Sequence, residues 1–286
     1  MPADLEKLLT YLEVERIDKY LFVGNSPSQP KRIFGGQVLA QSLNAATRSV
    51  ESDRIAHSMH AYFMRPGDPN KQIVFEVDPI RDGRSFTTRR VVAKQDAKAI
   101  FSTSVSFQVA EEGLQHQAQM PDVPPPEDVE SDVDFWARMA KENPDKIKPI
   151  TPPAIERRNI TRRDYLDPQP ADPVQHMWFK APAGLGDELN QHQTVLTYIS
   201  DFGLLGAATL PHPYTGMSRD LQAASLDHAI WFHRPFRADE YLLYTMDSTC
   251  AHGGRGFSRG MFFTQSGELV ASTVQEALIR VRSGNS

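Results

Sequence analysis

Cysteine is all but missing from this chain. Cys250 stands alone, which excludes an intramolecular disulfide and a cysteine-rich metal site and fits a reducing compartment. An excess of positive charge is missing too. Lys and Arg number 31 against 36 Asp and Glu, a net charge of −5, so nucleic acid is not expected as a partner. No long hydrophobic run is present: the most apolar stretch, 195–210, contains Asp201 and is too short to span a bilayer. Stable membrane insertion is therefore not expected. The first residues show no basic segment leading into an apolar run, so no secretory leader is expected, and the terminal Ser-Gly-Asn-Ser is not a peroxisomal address. These absences point to a cytoplasmic location. What remains is an ordinary globular composition, 40% hydrophobic and 23% charged, in 286 residues, enough for two domains each with a core.

The chain also says the same thing twice. Ser58-Met59-His60-Ala61-Tyr62-Phe63-Met64-Arg65-Pro66 is echoed by the block from Ser225 to Pro235, and Gly83-Arg84-Ser85-Phe86 by Gly254-Arg255-Gly256-Phe257. Arg65 and Arg234 lie 169 residues apart, Phe86 and Phe257 lie 171 apart, and Val105 and Val274 lie 169 apart. Three ordered anchors at a nearly constant offset imply two tandem copies of one fold. Residues 1–114 are read as the N-terminal repeat, 115–174 as a connection and 175–286 as the second repeat.

Each copy reads as one helix followed by an antiparallel set of strands. After a polar N-terminal segment, Leu39, Leu43, Ala46 and Val50 recur at helical steps. Gly35 and Gly36 before them suit a tight entry with backbone N–H groups free. Strand-like runs follow at 58–64, 72–78, 86–94 and 99–107, with turns at Arg65-Pro66-Gly67-Asp68 and Arg81-Asp82-Gly83. In the second copy a helix is predicted over 189–205 and strands over 224–232, 240–248, 255–264 and 268–280. The fold class is α+β. The connection carries so many prolines, among them Pro124, Pro125, Pro126, Pro152 and Pro153, that no strand is expected there; one short helix is expected around Phe135-Trp136.

The second helix is the local anomaly. It is apolar on most of its circumference, as buried helices are, yet it contains Asp201. Two readings stand: a carboxyl satisfied by a structural bond or marking the helix end, and a catalytic carboxylate whose pKa burial adjusts. Aligning Val195-Leu196 with Val38-Leu39, 157 residues apart, sets Asp201 opposite Asn44.

Five blocks, Phe34-Gly35-Gly36-Gln37, Phe63-Met64-Arg65-Pro66-Gly67, Arg81-Asp82-Gly83-Arg84-Ser85-Phe86, Trp231-Phe232-His233-Arg234-Pro235 and Ala271-Ser272-Thr273-Val274-Gln275-Glu276, resemble the type II acyl-CoA thioesterases, the TesB-like family. The resemblance spans nearly the whole chain. It implies a double hotdog fold, two long helices each wrapped by an antiparallel sheet, and hydrolysis of acyl-CoA to a free acid and CoA without metal or other cofactor. It implies a homo-oligomer, dimer or tetramer. The family's trio, an aspartate, a threonine or serine, and a glutamine that hold the attacking water, matches Asp201, Ser225 and Gln275.

The residue chemistry agrees. An oriented water and a base suffice for a thioester carbonyl, and Asp201 could take the water's proton. At the 169-residue offset Ser225 faces Ala56 and Gln275 faces Ser106, so hydrolysis is assigned to the second copy alone. Oxyanion donors are sought at Gly36-Gln37, where a tight turn is the alternative, or in the Gln275 amide. His60 is a weaker general-base candidate, against a packed or surface role. Arg84, with Arg81, Arg89 and Arg90, could meet CoA phosphates or form solvated turns. His228 and His233, five apart in a strand, point to opposite faces and make no metal pair. Two rivals stand: a hotdog-fold enoyl-CoA hydratase or dehydratase, and a non-catalytic acyl-CoA-binding protein.

Overall fold

The computed structural model describes residues 1–27 and 32–282. The terminal Ser-Gly-Asn-Ser, and with it the last four residues of the second repeat as read above, lie outside them. The first half contains α1 (Ala3–Leu12), β1 (Glu15–Asp18), β2 (Leu21–Gly24), α2 (Gly35–Thr47), β3 (Ile55–Phe63), β4 (Ile73–Asp82), β5 (Phe86–Gln95) and β6 (Lys98–Gln108). The connection contains α3 (Asp132–Glu142) and β7 (Glu156–Asn159). The second half contains β8 (Val174–Lys180), α4 (Leu189–Ser200), α5 (Leu204–Thr209), β9 (Leu221–Ser225), β10 (Asp227–Phe232), β11 (Leu242–His252), β12 (Arg255–Thr264) and β13 (Leu269–Val281).

The described strands form one antiparallel sheet in the order β1-β2-β4-β5-β6-β3-β10-β13-β12-β11-β8-β7, with β9 also on β13. The order is nearly symmetric about the β3–β10 pair, where Met59 faces Ile230 and Ala61 faces His228. Each half wraps its own long helix, and α2 and α4 pack on one another at the centre, the start of α2 against the end of α4. This is the double hotdog that the resemblance implies.

The helices are buried for a legible reason. In α2 nearly every residue from Gly36 to Ala46 is buried, and small side chains let strands and the partner helix close in. α4 is buried but not purely apolar. Thr194 and Thr197 return their hydroxyl protons to carbonyls of their own helix, which lets polar residues sit in the core without loss of a hydrogen bond.

Four expectations need correction. The N-terminal segment is not merely polar: Leu5, Leu8 and Leu12 share one face and are buried, and α1 packs on α2. The connection does contain a strand, β7, which pairs with β8 in the proline-free interval after Pro153. The helix predicted over 189–205 is two helices. Gly203 has φ +92°, and a Cβ there would lie 2.8 Å from the Met246 sulfur, so the break needs glycine. The apolar stripe continues across it into α5, which is why periodicity alone does not show it.

The predicted strand 224–232 is also interrupted. Ser225 pairs with Ala277 while Ala229 pairs with Val274, so the register slips by one residue at Leu226. The Asp227 carboxylate accepts the Glu276 N–H at 2.6 Å beside this bulge. In a regular strand, residues three apart face opposite sides. The bulge instead turns both Ser225 and His228 to the inner face.

Candidate active site

A cavity of about 780 Å³ opens between the two halves. The first half supplies Arg32, Phe34 and Gly35 at the entrance to α2, the turn after β3 from Phe63 to Gly67, and Phe101. The second supplies Asp201, Leu205, Ser225, Leu226 and Gln275. The wall is mixed, with Phe34, Phe63, Phe101 and Leu205 beside the polar Asp201, Ser225 and Gln275, the composition of a small-molecule site.

Asp201 is the C-cap of α4. A carboxylate there faces the negative end of its own helix dipole. The start of α2 corrects this: the Gly36 N–H donates to Asp201 Oδ2 at 2.9 Å. The glycines make that approach possible. A Cβ at Gly36 would run into the Tyr198 carbonyl, and one at Gly35 would lie 2.6 Å from Asp201 Oδ2. The carboxyl lies deep in the protein, with its accessible surface on the cavity wall. Burial pushes its pKa up to about 7, while the Gly36 N–H, the Ser225 hydroxyl and the positive charge of Arg32 pull it back.

The Ser225 hydroxyl donates to Asp201 Oδ1 at 3.4 Å and accepts from the Gln275 amide nitrogen at 2.9 Å. Gln275 is buried; its Oε1 lies 2.8 Å from His228 Nδ1, and His228 Nε2 lies 2.9 Å from Ser200 Oγ. The structure thus brings Asp201, Ser225 and Gln275 into one hydrogen-bonded line that ends in two further buried groups. Burial pushes the His228 imidazole down to about 4.

The other candidates fall elsewhere. The Gly36 N–H is committed to Asp201, and the Gln37 N–H to the Phe34 carbonyl at 3.1 Å. The Gln37 side chain turns from the cavity to Ser26 and Gln41, so neither group is a free oxyanion donor. His60 is exposed and packs edge-on to Trp231 at 4.9 Å, away from the cavity. Arg84 is an exposed residue of the β4–β5 hairpin and does not line the cavity. Arg89 is neither a phosphate ligand nor a solvated turn residue: it is 3% exposed and bonded to the Asp82 and Ser49 side chains and to three carbonyls. Among the described residues, Arg32 and Arg65 are the cations that line the cavity.

Among its described residues, the first copy has no such line. Ser106 bonds to His57 at 2.8 Å, and the Ala56 carbonyl accepts from the buried Gln193 side chain of α4 at 2.8 Å. Asn44 does not match Asp201 in place. It lies inside α2, and its side chain accepts the Val14 N–H at 3.3 Å; the C-cap of α2 is Arg48.

Comparison with known proteins shows the family. The family described as acyl-CoA thioesterase matches residues 153–278, and the acyl-CoA thioesterase N-terminal domain matches residues 23–108. Acyl-CoA thioesterase 2 of Haemophilus influenzae is 38% identical, the match covering 96% of this chain and 98% of that protein. Human acyl-coenzyme A thioesterase 8 is also 38% identical, over 98% of this chain and 92% of its own. The crystal structure of an acyl-CoA thioesterase II, TesB2, from Mycobacterium marinum has a TM-score of 0.80 at 40% identity, covering 97% of this chain and 99% of that one.

Proposed function

Since the chain belongs to the acyl-CoA thioesterase family and is a thioester hydrolase of acyl-CoA, we propose that it works by direct attack of water held by Asp201, Ser225 and Gln275. The observation that carries this reading is the convergence of these three side chains on one wall of a cavity of about 780 Å³. The acyl chain lies in the cavity with the thioester carbon against Asp201. Arg32 and Arg65 on the wall meet the phosphates of CoA, to which guanidinium groups are suited.

Asp201 takes a proton from the water as its oxygen bonds to the carbonyl carbon, an effect worth roughly 10²–10⁴-fold. A pKa near 7 suits that task, because the group is then both a competent base and largely ionised just above neutrality. One Gln275 N–H is spent on Ser225. The second is left for the carbonyl oxygen as it becomes an oxyanion, a donation worth on the order of 3 kcal/mol. The C–S bond breaks as the carbonyl re-forms, the sulfur leaves as the CoA thiolate, and the proton held by Asp201 neutralises a product.

The second repeat carries the reaction, and the first supplies cavity wall and the α2 start that holds Asp201. A cytoplasmic location is part of the same proposal, resting on the single unpaired cysteine. So is a homo-oligomer, resting on the sheet edges at β1 and β7.

The test is CoA release followed with a thiol reagent, in steady state and in a single turnover. Continuous release is expected, with free acid appearing at the same rate as CoA. A burst of CoA ahead of acid would replace direct water attack with an acyl-enzyme. No release at all would point to a hydratase or a binding protein.

A further inference from the structure

The proton arrangement around Asp201 is not determined by the trio alone. An amide side chain can turn over and exchange its oxygen for its nitrogen, and a hydroxyl can donate in either direction. Ser225 and Gln275 could therefore bond to each other in two ways, and only one of them leaves the serine proton for Asp201.

We propose that His228 is a positioning residue: its Nδ1–H holds the Gln275 oxygen, so that the Gln275 amide N–H faces Ser225 and the serine proton is directed onto Asp201. The proposal rests on the trio reading above. Its logic runs along the line of contacts. An ionised Asp201 only accepts, so Ser225 must donate to it. The hydroxyl has one proton, so toward Gln275 it must accept, and Gln275 must present Nε2. Its Oε1 then faces His228 at 2.8 Å and needs a donor there, which is Nδ1–H. A neutral imidazole has no second proton, so Nε2 is bare and takes the Ser200 hydroxyl proton at 2.9 Å. Ser200 Oγ also lies 2.8 Å from the Thr197 carbonyl, and this is the acceptor it would use in the opposite arrangement. There Nε2–H faces Ser200, the amide is turned over, and Ser225 spends its proton on Gln275 and turns a lone pair on the Asp201 carboxylate.

Two further observations agree. His228 is 1% exposed and does not line the cavity, so it acts through Gln275 rather than on the substrate. The depressed basicity of the buried imidazole keeps it neutral at working pH, with a single N–H to place. In the first repeat the residue 169 earlier is Met59, equally buried and unable to donate. The device is absent where the trio is absent.

The test is an assay of four proteins beside nitrogen-15 NMR of the histidine rings. Asparagine places an amide N–H where Nδ1 stands, and glutamine places one where Nε2 stands. His228→Gln is expected to lower kcat about tenfold or more with KM within about twofold, and His228→Asn to stay within about fivefold of the parent. The ring resonance that disappears in these variants is expected to report the Nδ1–H tautomer in the parent enzyme. Equal losses in both variants, full activity in His228→Gln, or an Nε2–H tautomer would overturn the proposal. Should either variant fail to fold, the tautomer in the parent enzyme decides. Gln275→Ala separates the two levels. A loss there beside a fully active His228→Gln removes the role of His228 alone, whereas full activity in Gln275→Ala removes the trio reading and this proposal with it.

Discussion

Replacing Asp201 with asparagine should make the folded protein more stable at alkaline pH. The carboxyl has an ordinary pKa of 3.8 and stands at about 7 in the fold, chiefly through burial. A carboxyl whose folded pKa is raised contributes stability that is fully present below its unfolded pKa. That contribution is lost as pH rises through the folded value. The rise from 3.8 to about 7, at about 1.4 kcal/mol per tenfold change in proton affinity, amounts to roughly 4 kcal/mol. Asparagine removes the buried charge and keeps an oxygen for the Gly36 N–H. The variant should therefore gain on the parent progressively from about pH 4 to about pH 7 and hold that gain above it, reaching at most about 4 kcal/mol, or several degrees in Tm for a chain of this size. Thermal or urea unfolding of both proteins across that range measures it. A difference that does not change with pH, or a parent more stable at pH 8, would refute the claim that burial strains this carboxylate.

Three other outcomes follow from the same geometry. The kcat of the parent should rise about tenfold per pH unit below 7 and level off above it, because only ionised Asp201 accepts a proton; a flat profile from pH 5 to 8 would count against that base. Gly35→Ala sets a methyl group 2.6 Å from Asp201 Oδ2, and a displaced base should cost kcat about tenfold while the melting temperature moves little; unchanged kcat would show that the start of α2 does not position the carboxyl. Asn44→Ala removes only a 3.3 Å contact to Val14 and should leave hydrolysis within about twofold; a loss as deep as that for Asp201 would reject a first copy without chemistry.

Much of this was readable from the chain because it is carried by side-chain type at fixed spacing. The two copies, the strand runs and the burial of the central helices follow from apolar period and from the echo between Arg65-Pro66 and Arg234-Pro235. Asp201 was conspicuous as a charge in an apolar helix, and the structure sets it beside Ser225 and Gln275. What stayed hidden depends on backbone geometry or on tertiary partners. The helix break needs the positive φ of Gly203, which the apolar residues on either side conceal. The inward turn of both Ser225 and His228 needs a one-residue bulge that no composition marks. Gly36-Gln37 reads in the sequence either as free donors or as a tight turn, because nothing local reveals that the first N–H is taken by a residue 165 positions away. Nothing local marks His228 for its place, because its partner Gln275 lies 47 residues further on.

The most direct measurement is the kcat of Asp201→Asn at saturating acyl-CoA and pH 8, with folding checked by its melting curve. A fall of at least about tenfold, and toward 10²-fold, is predicted for the loss of a general base. Turnover equal to the parent enzyme would contradict the account at its centre.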